Sequence, residues 1–121
     1  MMDTDIRVRR VYDEPSGQDG ERVLVDRLWP RGMRKDDARL DEWAKDVAPS
    51  ADLRIWYGHD PAKFEEFRRR YVAELARPGA AEAVARLRAA AAAHPVTLLT
   101  ASKNLELSQA AVLAELLREG T

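Results

Sequence analysis

Asp26, Arg27, Trp29 and Arg31 fall within six residues of one another, directly after the apolar run Val23-Leu24-Val25. A guanidinium fork matches the paired oxygens of a phosphate or carboxylate, and an indole ring stacks on flat ligands. These residue types suit an anionic or planar small molecule, with Arg27 and Arg31 on the anion and Asp26 as acid or base. A structural reading stands beside this one: Asp26 pairs internally with an arginine, Trp29 plugs the core, and Arg34 and Lys35 are solvated. His59, between Gly58 and Asp60, is a second acid/base candidate because its reference pKa is about 6.5. The plainer reading is a lone histidine in a capping turn.

Two further groups could join such a site. Ser102 and Lys103 follow the apolar run VTLLT, together with Ala101 and Asn104. Hydroxyls and free backbone N–H groups at a helix start cradle anions, although capping by Ser102 or Asn104 would use the same residues. Arg68 lies four residues after Phe64 and three before Tyr71, at the edge of an apolar helix face. It needs a partner, either a carboxylate such as Asp26 or Asp46 or a ligand anion.

Other chemistries lack their residues. The chain contains no cysteine and only two histidines, which removes disulfides, thiolate zinc sites and cysteine nucleophiles. No phosphate-binding loop, G-x-G-x-x-G, H-E-x-x-H or G-x-S-x-G is present. We therefore expect no cofactor and no dedicated metal, and hydrolysis or group transfer fits the candidate groups better than redox chemistry.

The elements that must position these residues alternate between two periods. IRVRRVY at 6 to 12 and VLV at 23 to 25 read as strands, separated by the turn-rich DEPSGQDGER. Trp43, Lys45 and Val47 alternate with Ala44 and Asp46 in the pattern of a third strand. Ser50 can cap a short helix that Gly58 stops. Asp60 and Pro61 open a helix with Phe64, Phe67, Tyr71 and Leu75 on one face, and Pro78-Gly79 should end it. An alanine-rich helix packing Val84, Leu87 and Ala91 follows, then the strand VTLLT and a last helix from about 105 to 118. Buried strands mixed with amphipathic helices predict an α/β fold: a single three-layer domain with a small, mostly parallel sheet flanked by helices. In such sheets ligands bind beyond the carboxyl ends of the strands, which is where Asp26 to Arg31 fall.

Composition sets the outer bounds. With 121 residues, 45% of them hydrophobic, one domain with a modest core is expected. Twenty Lys plus Arg against twenty-one Asp plus Glu give a net charge of −1, so any anion site must be local and the balance argues against nucleic acid as a partner. No apolar stretch approaches the roughly 18 to 20 residues of a membrane span, and the Met-Met-Asp-Thr-Asp start does not read as a secretory signal. These features predict a soluble, cytoplasmic protein.

Three segments carry a family resemblance: DGERVLVDRLWPRG, WAKDVAPSADLRIWYGHDPAKFEEFRRRYVAEL and VTLLTASKN. Through them the chain resembles the DUF 488 family, and in particular its short YeaO-like branch, over about Val8 to Leu117. The resemblance implies a compact α/β domain. It also implies a surface built from Tyr12, Asp26, Arg27, Trp29, Pro30, Arg31, Gly32, Lys45, Pro49, Ser50, Leu53, Arg54, His59, Phe67, Arg68 and Tyr71. It supplies no reaction. One departure bears on chemistry. After its last strand the branch usually carries an alanine, Lys or Arg, Asp, and then an acidic-His-Asn run, where this chain reads Ser102, Lys103, Asn104, then Glu106, Leu107 and Ser108. If those groups are catalytic in the branch, this chain would bind without turnover or act on another substrate. The leading expectation is thus a small anion- or nucleotide-type ligand in a hydrolase- or transferase-like cleft, and the alternative is a non-catalytic sensing or protein-interaction domain.

Overall fold

The computed structural model describes residues 5 to 119; residues 1 to 4, part of the start read above for a leader, lie outside them. The elements are β1 (Ile6–Arg10), β2 (Glu21–Leu24), α1 (Lys35–Ala38), β3 (Glu42–Trp43), α2 (Ala51–Tyr57), α3 (Phe64–Leu75), α4 (Pro78–Ala93), β4 (Val96–Thr100) and α5 (Gln109–Glu119). The strands form one four-stranded sheet in the order β1-β4-β2-β3, and every pairing is parallel. Ile6 pairs with Val96 and Arg10 with Thr100. Across the other side of β4, Glu21 pairs with Val96 and Leu24 with Leu99.

This order explains the layering. The β1–β2 and β2–β3 connections run one way across the sheet, and β3–β4 returns the other way. Because parallel crossovers are right-handed, the first two belong on one face and the third on the opposite face. The packing agrees. Val23, Val25, Val96 and Leu98 point into the main core with residues of α2, α3, α4 and α5. Leu24 and Leu99 point the other way, into a small cluster with Val11, Trp29, Met33, Leu40 and Trp43. The domain is α/β, with a thick helical layer on one face and a thin layer of loop plus the one-turn α1 on the other.

The thin layer is held by polar contacts as well as apolar ones. Asp19 in the β1–β2 loop is 1% exposed and accepts from Arg9 at 2.9 Å and from Arg22 at 2.5 Å. Arg22 also donates to the carbonyls of Ala38 and Arg39 at 3.0 and 3.1 Å, which pins α1 to the sheet. Three cationic residues of the RVRR stretch are thereby placed: Arg9 on Asp19, Arg7 near Asp5, and Arg10 on the carbonyls of Ala101 and Ser102.

Three expectations about elements are corrected. The third strand does not run to Val47. It ends at Trp43, and Lys45–Val47 form a 3-10 turn because the buried residues are Ala44 and Val47, a spacing of three instead of two. Pro78-Gly79 does not merely stop α3. Pro78 takes the first position of α4, where its missing N–H costs nothing. The last helix starts later than expected: Leu105–Leu107 is a separate 3-10 turn, and Ser108, extended, accepts from Ala111 N at 3.3 Å as the cap of α5. Elsewhere the expected caps are present, with Ser50 accepting from Leu53 N at 3.2 Å and Asp60 from Ala62 N at 3.0 Å.

Candidate functional site

In a doubly connected parallel sheet, a crevice opens where neighbouring strands send their following chain to opposite faces. Here β4, which leads to α5 on the thick face, lies between β1 and β2, whose following chains both go to the thin face. A cavity of about 260 Å³ lies at their carboxyl ends. From the chain after β2 it takes Asp26, Arg27, Leu28, Trp29, Pro30 and Arg31, and from the chain after β4 it takes Ala101, Ser102 and Gln109. Tyr12 after β1, Pro49, and Arg54, Tyr57, His59 and Phe67 from the helical layer complete its walls.

Asp26 bridges the crevice. Its Oδ1 accepts from the Thr100 hydroxyl at 2.7 Å and from the Gln109 side-chain amide, and its Oδ2 accepts from Ala101 N at 2.8 Å. Its own carbonyl accepts from Trp43 Nε1 at 2.7 Å. Burial pushes the Asp26 carboxyl above the usual aspartate range, opposed in part by the three donors and by His59. Among the described residues no cation lies within ion-pair distance of Asp26.

The cations stand at the cavity's wall. Arg27 Nε donates to Pro49 O at 3.0 Å, which fixes the stem and leaves the terminal nitrogens available. Arg27, Arg31 and Arg54 are exposed, and none is ion-paired among the described residues. The Pro30–Met33 turn that carries Arg31 closes through Met33 N to Pro30 O at 3.3 Å and needs Gly32 at φ +76°. Tyr12 steadies this turn by donating to Arg31 O at 2.8 Å. His59 also has positive φ, +58°, because α2 ends at Gly58 in the left-handed region and the chain must turn again before Asp60.

Trp29 does both jobs left open by its sequence. It lines the cavity, while Nε1 donates to Met33 O at 2.7 Å and the ring meets Trp43 edge-on at 5.3 Å. Trp43 itself is not at the cavity; Lys45 Nζ covers its ring at 4.0 Å. The far wall is Tyr57 stacked on Phe67 at 4.2 Å, and behind it Phe67 stacks on the buried Tyr71 at 5.7 Å.

Of the residues singled out in the sequence, the structure brings Asp26, Arg27, Trp29, Arg31, His59 and Ser102 to one cavity. It does not bring Arg68 or Lys103 there. Arg68 pairs with Glu115 of α5 at 2.7 Å, not with Asp26 or Asp46, since its edge of α3 faces α5. Lys103 is exposed to solvent because α5 begins six residues beyond it, so the expected helix-start cradle at 102 to 104 is absent. Gln109 was missed. It occupies the same stripe as Val112, Leu113 and Leu116, where a lone polar side chain on an apolar face was the available signal.

Family comparison matches residues 5 to 121 to the model described as the inactive DUF488-N3 subclade. The chain belongs to the DUF488 family. It is 50% identical over 115 residues to an uncharacterized protein of Mycobacterium tuberculosis, covering 95% of each chain. It is 44% identical over 113 residues to the uncharacterized protein YeaO of Escherichia coli, covering 93% of this chain and 96% of that one. No solved structure matches at a significant level.

The residues after β4 at which the sequence predicts a departure from the branch have local partners. Asn104 accepts from Glu106 N at 3.2 Å, Leu107 O accepts from the Tyr57 hydroxyl at 2.7 Å, and the Ser108 hydroxyl donates to Leu105 O at 2.7 Å. In this DUF488 chain these contacts shape the loop. None of the three side chains lines the cavity. Among the described residues no group of three or more His, Cys, Asp or Glu could hold a metal ion, and no helix is long and apolar enough to cross a membrane.

Proposed function

We propose that the switch-point cavity binds a small anionic molecule with a flat or apolar portion and does not turn it over. The observation that carries this reading is the uncompensated positive wall: Arg27, Arg31 and Arg54 line one cavity without a carboxylate partner among the described residues. Three unpaired cations outnumber the one carboxylate of the cavity, Asp26, and a locally positive wall concentrates anions. Trp29, Tyr57 and Phe67 supply the apolar surface. A volume of about 260 Å³ falls below the roughly 300 to 1,000 Å³ of drug-sized sites, which favours a compact phosphate or carboxylate over a complete nucleotide.

Binding without turnover is favoured over hydrolysis or group transfer by the state of Asp26. Three protein donors hold its carboxylate and favour the ionised form, which weakens it as a proton acceptor. The description of the matching family model as inactive supports the same side. The reading of Asp26 and His59 as a catalytic pair remains the alternative, favoured by their presence in one cavity.

Calorimetry and thermal unfolding with inorganic phosphate, phenyl phosphate and ribose 5-phosphate test the proposal. A ligand at 100 times its Kd stabilises the fold by about 2.7 kcal/mol, a shift on the order of 10 °C for a domain this size. The shift should be lost in Arg27→Ala/Arg54→Ala, and the bound ligand should be recovered unchanged. Absence of binding by every anion, or equal binding by the folded double variant, would refute the site. Product formation abolished by His59→Ala would reverse the choice between binder and enzyme.

A further inference from the structure

The cavity is electrically two-ended, and its inner end is built from acceptors. Asp26 Oδ1 receives two donors and Oδ2 only one, Ala101 N. An ionised carboxylate oxygen has room for two, so one acceptor position on Oδ2 is unfilled. An acceptor-only carboxylate also dictates how the Gln109 amide is turned: the NH2 faces Asp26 and Thr100, and Oε1 is left over. Among the described residues Gln109 Oε1 receives no donor, yet it is not a buried unsatisfied atom; Gln109 reaches open space where it lines the cavity.

We infer that the ligand carries a hydrogen-bond donor, a hydroxyl or amino group, at the end opposite its anionic group, and that Asp26 Oδ2 and Gln109 Oε1 receive it. This rests on the anion-binding reading above and adds to it a second recognition element. A purely anionic or purely apolar molecule would leave the inner acceptors facing an unmatched group. A buried polar group without a partner is penalised, so the inner end selects against ligands that end in a methyl or a second anion.

The test compares phenyl phosphates bearing a hydroxymethyl group at the meta or para position with their methoxymethyl counterparts, which keep the oxygen and remove the donor. Calorimetry on the intact protein should give at least one hydroxymethyl isomer a Kd about ten-fold below its methoxymethyl partner. In Asp26→Asn that ratio should fall toward one, because Gln109 flips to accept from the new Nδ2 and turns its NH2 toward the ligand where Oε1 had stood. Failure of unsubstituted phenyl phosphate and every derivative to bind would sink the anion site itself. Binding of phenyl phosphate with no preference for either hydroxymethyl isomer would sink only the donor inference, and that comparison needs no variant to fold. A preference that survives unchanged in folded Asp26→Asn would also overturn it.

Discussion

Replacing Asp26 by Asn should leave the fold intact and slightly more stable at neutral pH, whereas replacing it by Ala should damage the fold. The carboxylate receives the Thr100 hydroxyl, Ala101 N and the Gln109 amide, and it has no ion-paired cation among the described residues. Ala removes all three acceptor contacts. Hydrogen bonds to a charged group contribute about 1.5–3 kcal/mol each, but water entering the cavity can replace part of them, so a net loss of about 2–4 kcal/mol is expected. Asn can keep the network: its Oδ1 takes the Ala101 N–H, the Thr100 hydroxyl turns, and the Gln109 amide flips to present Oε1 to the new Nδ2. It also removes a desolvated charge. The balance should fall between zero and about 1 kcal/mol in favour of Asn.

The pH dependence gives the sign an independent check. Burial raises the folded-state pKa of Asp26 above its ordinary value. A carboxyl raised on folding costs no stability below its unfolded pKa of about 3.9 and its full cost above its folded pKa. The advantage of Asn should therefore be greatest at neutral pH and shrink as acidification protonates Asp26 in the wild type. Thermal and urea unfolding of wild type, Asp26→Asn and Asp26→Ala between pH 4 and pH 8 measures this directly. An Asn variant as unstable as the Ala variant, or an Asn advantage that grows on acidification, would refute the account of Asp26 as a buried, unpaired bridge.

Other parts of the fold give sharper or milder expectations. Gly20 sits at φ +64°, and a Cβ there would lie 2.1 Å from Pro95 O, so Gly20→Ala should cost more than the roughly 1–2 kcal/mol of left-handed strain alone and lower the urea midpoint accordingly. Removing Asp19 leaves Arg22 buried without its partner, and Asp19→Ala should cost about 3–5 kcal/mol. Burial alone would raise the Asp19 carboxyl, but Ser16 N, Arg9 and Arg22 outweigh it and hold the pKa below the ordinary value. Its stabilising contribution is thus complete above its unfolded pKa and should disappear as pH falls through the depressed folded one, a loss that unfolding midpoints measured into the acid range should register in wild type and not in the variant. Ser50 caps α2 and donates to Glu74 Oε2 at 2.6 Å, so Ser50→Ala should cost about 1–2 kcal/mol in thermal unfolding. The Arg68–Glu115 pair is partly exposed, at 36% and 53%, and Arg68→Ala should change stability by under about 1 kcal/mol and leave calorimetric anion binding unchanged.

The sequence was most informative where a local pattern and the tertiary demand coincide. Val23, Val25, Val96 and Leu98 read as buried strand residues and are buried, and the Ser50 and Asp60 caps act where their residue types place them. It was least informative where two patterns competed. Trp43, Lys45 and Val47 alternate convincingly, yet burial of Ala44 and Val47 against the main core wins and curls the chain. Arg68 was placed correctly at a helix edge, but which neighbour that edge faces depends on α5, whose packing no local pattern announces. For the site, the β2 half was visible because Asp26 to Arg31 interrupt an apolar run abruptly. In the β4 half Ser102 reaches the cavity and Lys103 does not, and Gln109 went unread because Ser102 and Lys103 look like a helix start while the actual start is set by Ser108.

That displacement ties site and fold together. A loop of eight residues between β4 and α5 lets Gln109, and not Ser102 or Lys103, reach across the crevice to the Asp26 carboxylate two residues beyond β2. Asp26 then serves the fold by joining two chain segments that diverge to opposite faces of the sheet, and the same three hydrogen bonds fix its oxygens at the inner end of the cavity. A carboxylate held this firmly is a poor proton carrier and a good recognition element. Rigid acceptors need no reorganisation when a matching donor arrives, and on the proposed reading the unpaired arginines at the wall would attract the anion. A positively charged wall opposite an Asp26 held by three hydrogen bonds, with one acceptor position left open, is the arrangement expected of a pocket that recognises its ligand and leaves it unchanged.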